Sequence, residues 1–162
     1  MAATVLIREK NTVSETATDK TSGTVRFKNA DNATVDLVNP MVVPVSGSDF
    51  SFDKWLRMNF TGTFTQVSNL KFYTDGVSGF GTGVLTWAKA VTTFVTPTEP
   101  TVSTGYANAF TYTSGSPLSL GAGPYTVTGD QGSYLVAMLE VASTATQGLL
   151  TAETLTFAWD EI

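Results

Sequence analysis

The sequence contains neither cysteine nor histidine. Without cysteine there is no disulfide, no thiolate nucleophile and no thiolate metal site. Without histidine, the commonest general base, metal ligand and near-neutral pH switch is missing. Charge is scarce as well, with Asp, Glu, Lys and Arg making up 14% of 162 residues. The net charge of -5 disfavours nucleic acid as a partner. No apolar run approaches the ~20 residues that span a membrane. The opening MAATVLIREK lacks the apolar core of a signal peptide, and acidic Glu9 follows closely. The expectation is a chain without cofactor, made in a cytoplasm and independent of membranes.

What the sequence does have is threonine (28 residues), serine (13) and glycine (14). Threonine is β-branched and suits a pleated, half-exposed surface, while glycine and serine suit tight turns. Length favours one domain. Hydrophobic residues at 42% give it a core without staples. Charge placement is uneven. All nine cations lie between Arg8 and Lys89, among eight carboxylates, whereas Ala90 to Ile162 holds six carboxylates and no cation. Such a split can steer and register neighbours in an assembly, although few charges also fall unevenly by chance.

Along the chain, Ala2 to Ile7 is a short apolar stretch. The polar run Asn11 to Gly23 reads as a loop or arm. Alternation predicts strands over Thr24 to Lys28, with Val25 and Phe27 opposite Arg26 and Lys28, and over Ala33 to Val38. Met41 to Val45, broken by Pro44, reads as an edge strand. The strongest strand signal is Phe50 to Thr65, with Leu56, Met58 and Phe60 on one face and Trp55, Arg57 and Asn59 on the other. Leu70 to Tyr73 is a strand that Asp75-Gly76 would close as a tight turn, and a glycine-rich loop, Gly76 to Gly83, follows. Val84 to Lys89 and Asn108 to Thr113 read as strands, and Val91 to Pro100 as extended chain. Ser133 to Ala142 is apolar on both faces, which predicts a central strand covered on both sides. Helical spacing of Leu135, Met138, Leu139 and Ala142 is the competing signal. Ala152 to Asp160 closes the chain. This pattern predicts an all-β, antiparallel β-sandwich, jelly-roll-like, with an extended N-terminal arm: residues 1–23 form an N-terminal strand and polar arm, and residues 24–162 one sandwich domain.

Little in this inventory suggests chemistry. Two-carboxylate sugar hydrolysis is the familiar scheme that needs neither His nor Cys, and Glu140 and Glu153 are the strand carboxylates available to it. Two solvent-facing carboxylates are the simpler reading. The loop Gly76 to Gly83 lacks the Gly-Lys-Ser/Thr ending of a phosphate cradle. Its central Phe80 either docks into a partner or folds back on its own sheet. The turn Asn29 to Asn32 and Asp130 offer oxygens to calcium but lack any recognised spacing. Exposed Trp55, Trp87 and Trp159 would be platforms for sugar stacking.

The stretch SGSDFSFDKWLRMNFTGTFTQVSNLKFYTDG, Ser46 to Gly76, resembles virion structural proteins of tailed bacteriophages, and so does the ending LTAETLTFAWDEI, Leu150 to Ile162. Between them only the Gly, Thr and Pro texture matches. The resemblance implies a non-enzymatic part of a phage particle, made in the host cytoplasm. Within that class it implies a capsid decoration, or cement, protein on the outer surface of the capsid, bound to the major capsid protein and trimeric. A tail, collar or fibre-base component and a carbohydrate-binding sandwich are the alternatives. The family supplies no site motif. Candidate partner contacts are Val5, Ile7, Arg8 and Lys10 near the N-terminus and Phe80 in the glycine-rich loop.

Overall fold

The computed structural model describes residues 2–162. It contains ten strands: β1 (Thr4–Asn11), β2 (Thr16–Asp19), β3 (Ser48–Phe50), β4 (Lys54–Thr61), β5 (Val67–Tyr73), β6 (Val84–Val91), β7 (Ala107–Asn108), β8 (Leu118–Gly121), β9 (Gly129–Ala142) and β10 (Thr156–Glu161). A single 3-10 turn spans Ala109–Thr111, capped by Asn108, whose Oδ1 accepts the Phe110 N–H at 3.0 Å. All pairings are antiparallel. The larger sheet runs β2-β1-β4-β9-β6-β7, with β3 also on β9, and the smaller runs β10-β5-β8. The fold is thus all-β and sandwich-like, but its sheets are unequal, where a jelly roll has two of similar width.

The inner faces meet as the period-2 pattern requires. Leu56, Met58, Phe60, Ala88 and Leu135 of the large sheet pack with Val67, Leu70, Phe72 and Leu120 of the small one. Strand β9 is central, and every residue from Tyr134 to Leu139 is buried. The strand reading of this segment therefore holds over its helical spacing. Its outer face is covered by the chain between β6 and β7. There Phe94 and Tyr106 pack on Trp55, Tyr134 and Val136. Trp55 meets Phe94 and Tyr134 edge-on, at 5.3 and 5.5 Å between centroids. Thr98 fastens this cover to Asp53 by two hydrogen bonds of 2.9 Å.

Between Leu56 and Met58 the β4–β9 register shifts: Leu56 faces Leu135, but Met58 faces Gln131. Strand β9 thus carries two extra residues. Gly132 lies in this bulge at φ +70°, where a Cβ would come within 2.6 Å of the Leu120 carbonyl oxygen. Only glycine lets β9 approach the small sheet this closely.

Several expected elements differ. Asn11 to Gly23 is not an arm. Residues Arg8 to Asn11 of β1 pair with Thr16 to Asp19 in a hairpin on the edge of the large sheet. Thr24 to Lys28, Ala33 to Val38 and Met41 to Val45 form no strands. Phe27, Met41 and Val43 instead pack, half-buried, on Val84, Leu139 and Val141 without a backbone ladder. Asp75-Gly76 closes no hairpin, because β5 and β6 lie in different sheets.

Lysines hold that ladderless chain down. Lys54 Nζ, fully buried, lies 3.3 Å from Glu9 Oε1 and donates to the Asn32 carbonyl at 2.9 Å. Lys20 Nζ donates to the carbonyls of Thr24 (2.8 Å) and Ala33 (2.6 Å) and sits 3.6 Å from Glu9 Oε2. Lys28 Nζ donates to Asp36 at 2.9 Å. A buried ammonium needs both a counter-charge and filled hydrogen bonds, and the coil carbonyls complete both sets. Burial pushes the Lys54 ammonium below its ordinary pKa, and Glu9 pulls it back in part.

Candidate functional site

The small sheet covers only part of the large sheet's inner face. Over the remainder lies a cleft of about 870 Å³. Its floor is Leu56, Val84, Thr86, Leu139 and Val141, which alternation along β4, β6 and β9 turns to the inside. One wall is the lysine-held coil, residues 20–28 with Asp36, Leu37 and Pro40 to Val43, and the other is the coil from Ala145 to Leu155. Phe80, Phe110 and Phe157 complete the lining.

The charged groups lining this cleft are engaged, Arg26 excepted. Lys20 and Lys28 have the partners given above. Glu153 Oε1 accepts the Gly79 N–H at 2.6 Å. The Lys28 hydrogen bond, followed by that of the Val38 N–H, holds the Asp36 carboxyl below the usual range. Two groups are different. Thr86 is 2% exposed, and its Oγ1 has no hydrogen-bond partner. Arg26 Nε is also buried without one. Among the described residues, Arg26 is the cation of the lining that takes part in no ion pair.

The structure brings two of the five candidate contacts to this cleft. Ile7 lines it, with its N–H on Thr21 Oγ1 at 2.9 Å. Phe80 folds back into it, edge-on to Phe110 at 6.1 Å. Val5 packs half-buried against the main core. Arg8 and Lys10 point to the opposite face of the large sheet. There Lys10 Nζ lies 2.5 Å from Asp130 Oδ2 and 3.5 Å from Glu15, and Arg8 Nη1 lies 3.8 Å from Asp130 Oδ1. On that face Arg57 also stacks on the Tyr134 ring, whose hydroxyl bonds to Glu15.

Other candidate groups are dispersed. Glu140 accepts from Trp87 Nε1 and from Ser48 Oγ, both at 2.6 Å. It alternates with Leu139 and Val141, so it lies on the face away from the cleft, whereas Glu153 lines the cleft. The sheet separates the two carboxylates, and they do not form the facing pair of a glycosidase. Trp55 is buried. Trp87 and Trp159 are half-buried, with Trp159 edge-on to Phe60 at 5.9 Å. In the turn Asn29 to Asn32, the Ala30 and Asn32 carbonyls do face a cation, but it is the ammonium of Lys54. Among the described residues no three His, Cys, Asp or Glu side chains are grouped to hold a metal.

Reading the sequence missed Arg26 and Thr86. Alternation placed Arg26 only on the face opposite Val25 and Phe27, and a threonine among 28 carries no local signal.

Comparison with protein-family models, with curated proteins and with solved structures finds no match to the chain.

Proposed function

We propose that this chain is a non-catalytic structural protein of a tailed-phage virion, a decoration protein that binds the shell of the major capsid protein. The observation that carries a role in protein assembly is a strip of exposed aliphatic side chains. Val35, Leu37, Val38, Val42 and Val45 are all at least 49% exposed, and Val45 is bare to solvent. Five such residues within eleven, on a segment fixed by buried lysines, form a presented apolar surface of the kind that marks protein contacts. Its position in the virion rests on the resemblance of Ser46 to Gly76 and Leu150 to Ile162. A trimer, with the strip turned toward the shell, suits a symmetric lattice.

The test is rebinding. Purified protein is added to particles that lack it, and the mixture is sedimented and imaged by electron microscopy. The wild type is expected to co-sediment and to give ordered density on the shell. The triple variant Val35→Asp, Val38→Asp, Val45→Asp is expected to stay folded and remain in the supernatant. Failure of the wild type to bind particles would overturn the reading.

A further inference from the structure

We infer that the cleft over Leu139 and Val141 is a binding site for an amphipathic carboxylate, a ligand with an aliphatic body and one anionic head. The volume of about 870 Å³ lies in the range of small-molecule sites. The lining sets the chemistry. Leu56, Val84, Leu139, Val141 and Phe157 offer an aliphatic and aromatic surface to a hydrocarbon chain. Such a surface alone would accept any apolar molecule. The two unpartnered polar atoms narrow it.

A buried polar atom with no partner carries its full desolvation penalty, so most are satisfied. Here two are left open in one cleft, Thr86 Oγ1 on the floor and Arg26 Nε on the wall. Lys20 and Lys28 already face Glu9 and Asp36. That leaves the Arg26 guanidinium, which feels Asp36 only at a distance, as the cation of the lining without an ion pair, and a guanidinium matches a carboxylate in shape as well as charge. The Thr86 hydroxyl can donate or accept, so it adds a polar contact without fixing the sign. An anionic head on Arg26 and a chain along the floor answer the unpaired guanidinium and the apolar surface together. A neutral lipid would leave the guanidinium unanswered, and a cationic one would oppose it.

The test uses the whole chain and sodium dodecanoate below its micelle concentration, with dodecanol as the neutral control. Binding is read by calorimetry and by methyl NMR shifts. Saturable dodecanoate binding is expected, at least about tenfold tighter than dodecanol, since one charged hydrogen bond carries that difference. Shifts are expected at Val84, Leu139 and Val141, with none at Val13 or Val127, which are exposed and outside the lining. Arg26→Gln should remove the preference for the carboxylate and keep weak binding of both compounds. Thr86→Val should weaken both ligands and keep the preference. No saturable binding, equal binding of dodecanol, or shifts centred on Val13 and Val127 would each overturn the inference. The wild-type comparison decides even if a variant misfolds. No particle enters the experiment, so its failure is separate from failure of the virion reading.

Discussion

Glu9 Oε1 lies 3.3 Å from Lys54 Nζ on neighbouring strands, and neither side chain has any exposed surface. The pair lies on the inner face of the large sheet, under the coil whose Asn32 carbonyl Lys54 also binds. Removing one partner would leave an uncompensated buried charge, which costs about 3–5 kcal/mol. Glu9→Gln and Lys54→Met are each expected to lower the unfolding free energy by that amount, read as a lower urea midpoint at unchanged slope. The double variant should lose less than the sum of the singles. Additive losses would show that the two charges do not act as a pair.

Gly132→Ala should destabilise through two causes. The left-handed backbone costs a side-chain-bearing residue about 1–3 kcal/mol, and the new Cβ would press on the Leu120 carbonyl oxygen and on Leu70. Gly105, also at positive φ but with open space around it, is the control. Gly105→Ala should lose the backbone part alone. Thermal unfolding of both variants separates the two causes.

Acid should unfold the protein partly through Asp130. Burial raises its pKa, but hydrogen bonds from Lys10 and Asn59 and the charges of Lys10 and Arg8 outweigh that, so the net shift is downward from 3.8. A folded pKa below the unfolded one gives stability that is complete above the unfolded value. It is lost as pH falls through the folded value. Asp19 and Asp36 shift the same way. Asp53, raised by burial, acts in the opposite sense. Asp130→Asn is expected to lower stability at pH 7 and to flatten the decline below about pH 4. Urea midpoints measured from pH 7 to pH 2.5 would check both; an unchanged slope would remove Asp130 from the account.

Phe94→Ala should loosen the cover on the outer face. Phe94 meets both Trp55 and Tyr134, the latter at 5.8 Å. A loss of about 2–4 kcal/mol is expected for this half-buried ring. Because Trp55 is 4% exposed, tryptophan emission should shift to the red in the folded variant. Unshifted emission would mean that Trp55 remains covered without Phe94.

Strands whose faces differ were legible in the sequence. Leu56, Met58 and Phe60 alternate with Trp55, Arg57 and Asn59, and β4 places the first set in the main core. The double-sided apolar run from Ser133 to Ala142 read as a central strand and is one. Alternation failed between Thr24 and Val45, where Phe27, Met41 and Val43 are apolar enough for strands. There the hydrogen-bond partners are the side chains of Lys20, Lys28 and the more distant Lys54, which no alternation pattern announces. The hairpin of Asn11 to Gly23 was hidden because β2 is exposed along its length and buries nothing to mark a face. Of the cleft, Phe80 stood out as a lone aromatic in a glycine-rich loop and Ile7 as the end of the apolar stretch at the N-terminus. Arg26 and Thr86 did not, since their interest lies in what they fail to touch.

The coil held by Lys20, Lys28 and Lys54 joins two properties that usually exclude each other. From Thr24 to Val45, Asn29 and Asn32 supply the amides that donate to backbone carbonyls, while Thr34, Val38 and Val42 donate to side chains. Its carbonyls are fastened from below, yet most of its N–H groups belong to no ladder. Deuterium would enter this segment quickly, as it does in a loose loop, while its atoms stay as still as the sheet beneath. A protease needs the chain lifted free into an extended form, and three buried ammonium groups resist that lifting. Fast exchange without cleavage is therefore the signature to expect of residues 24–45.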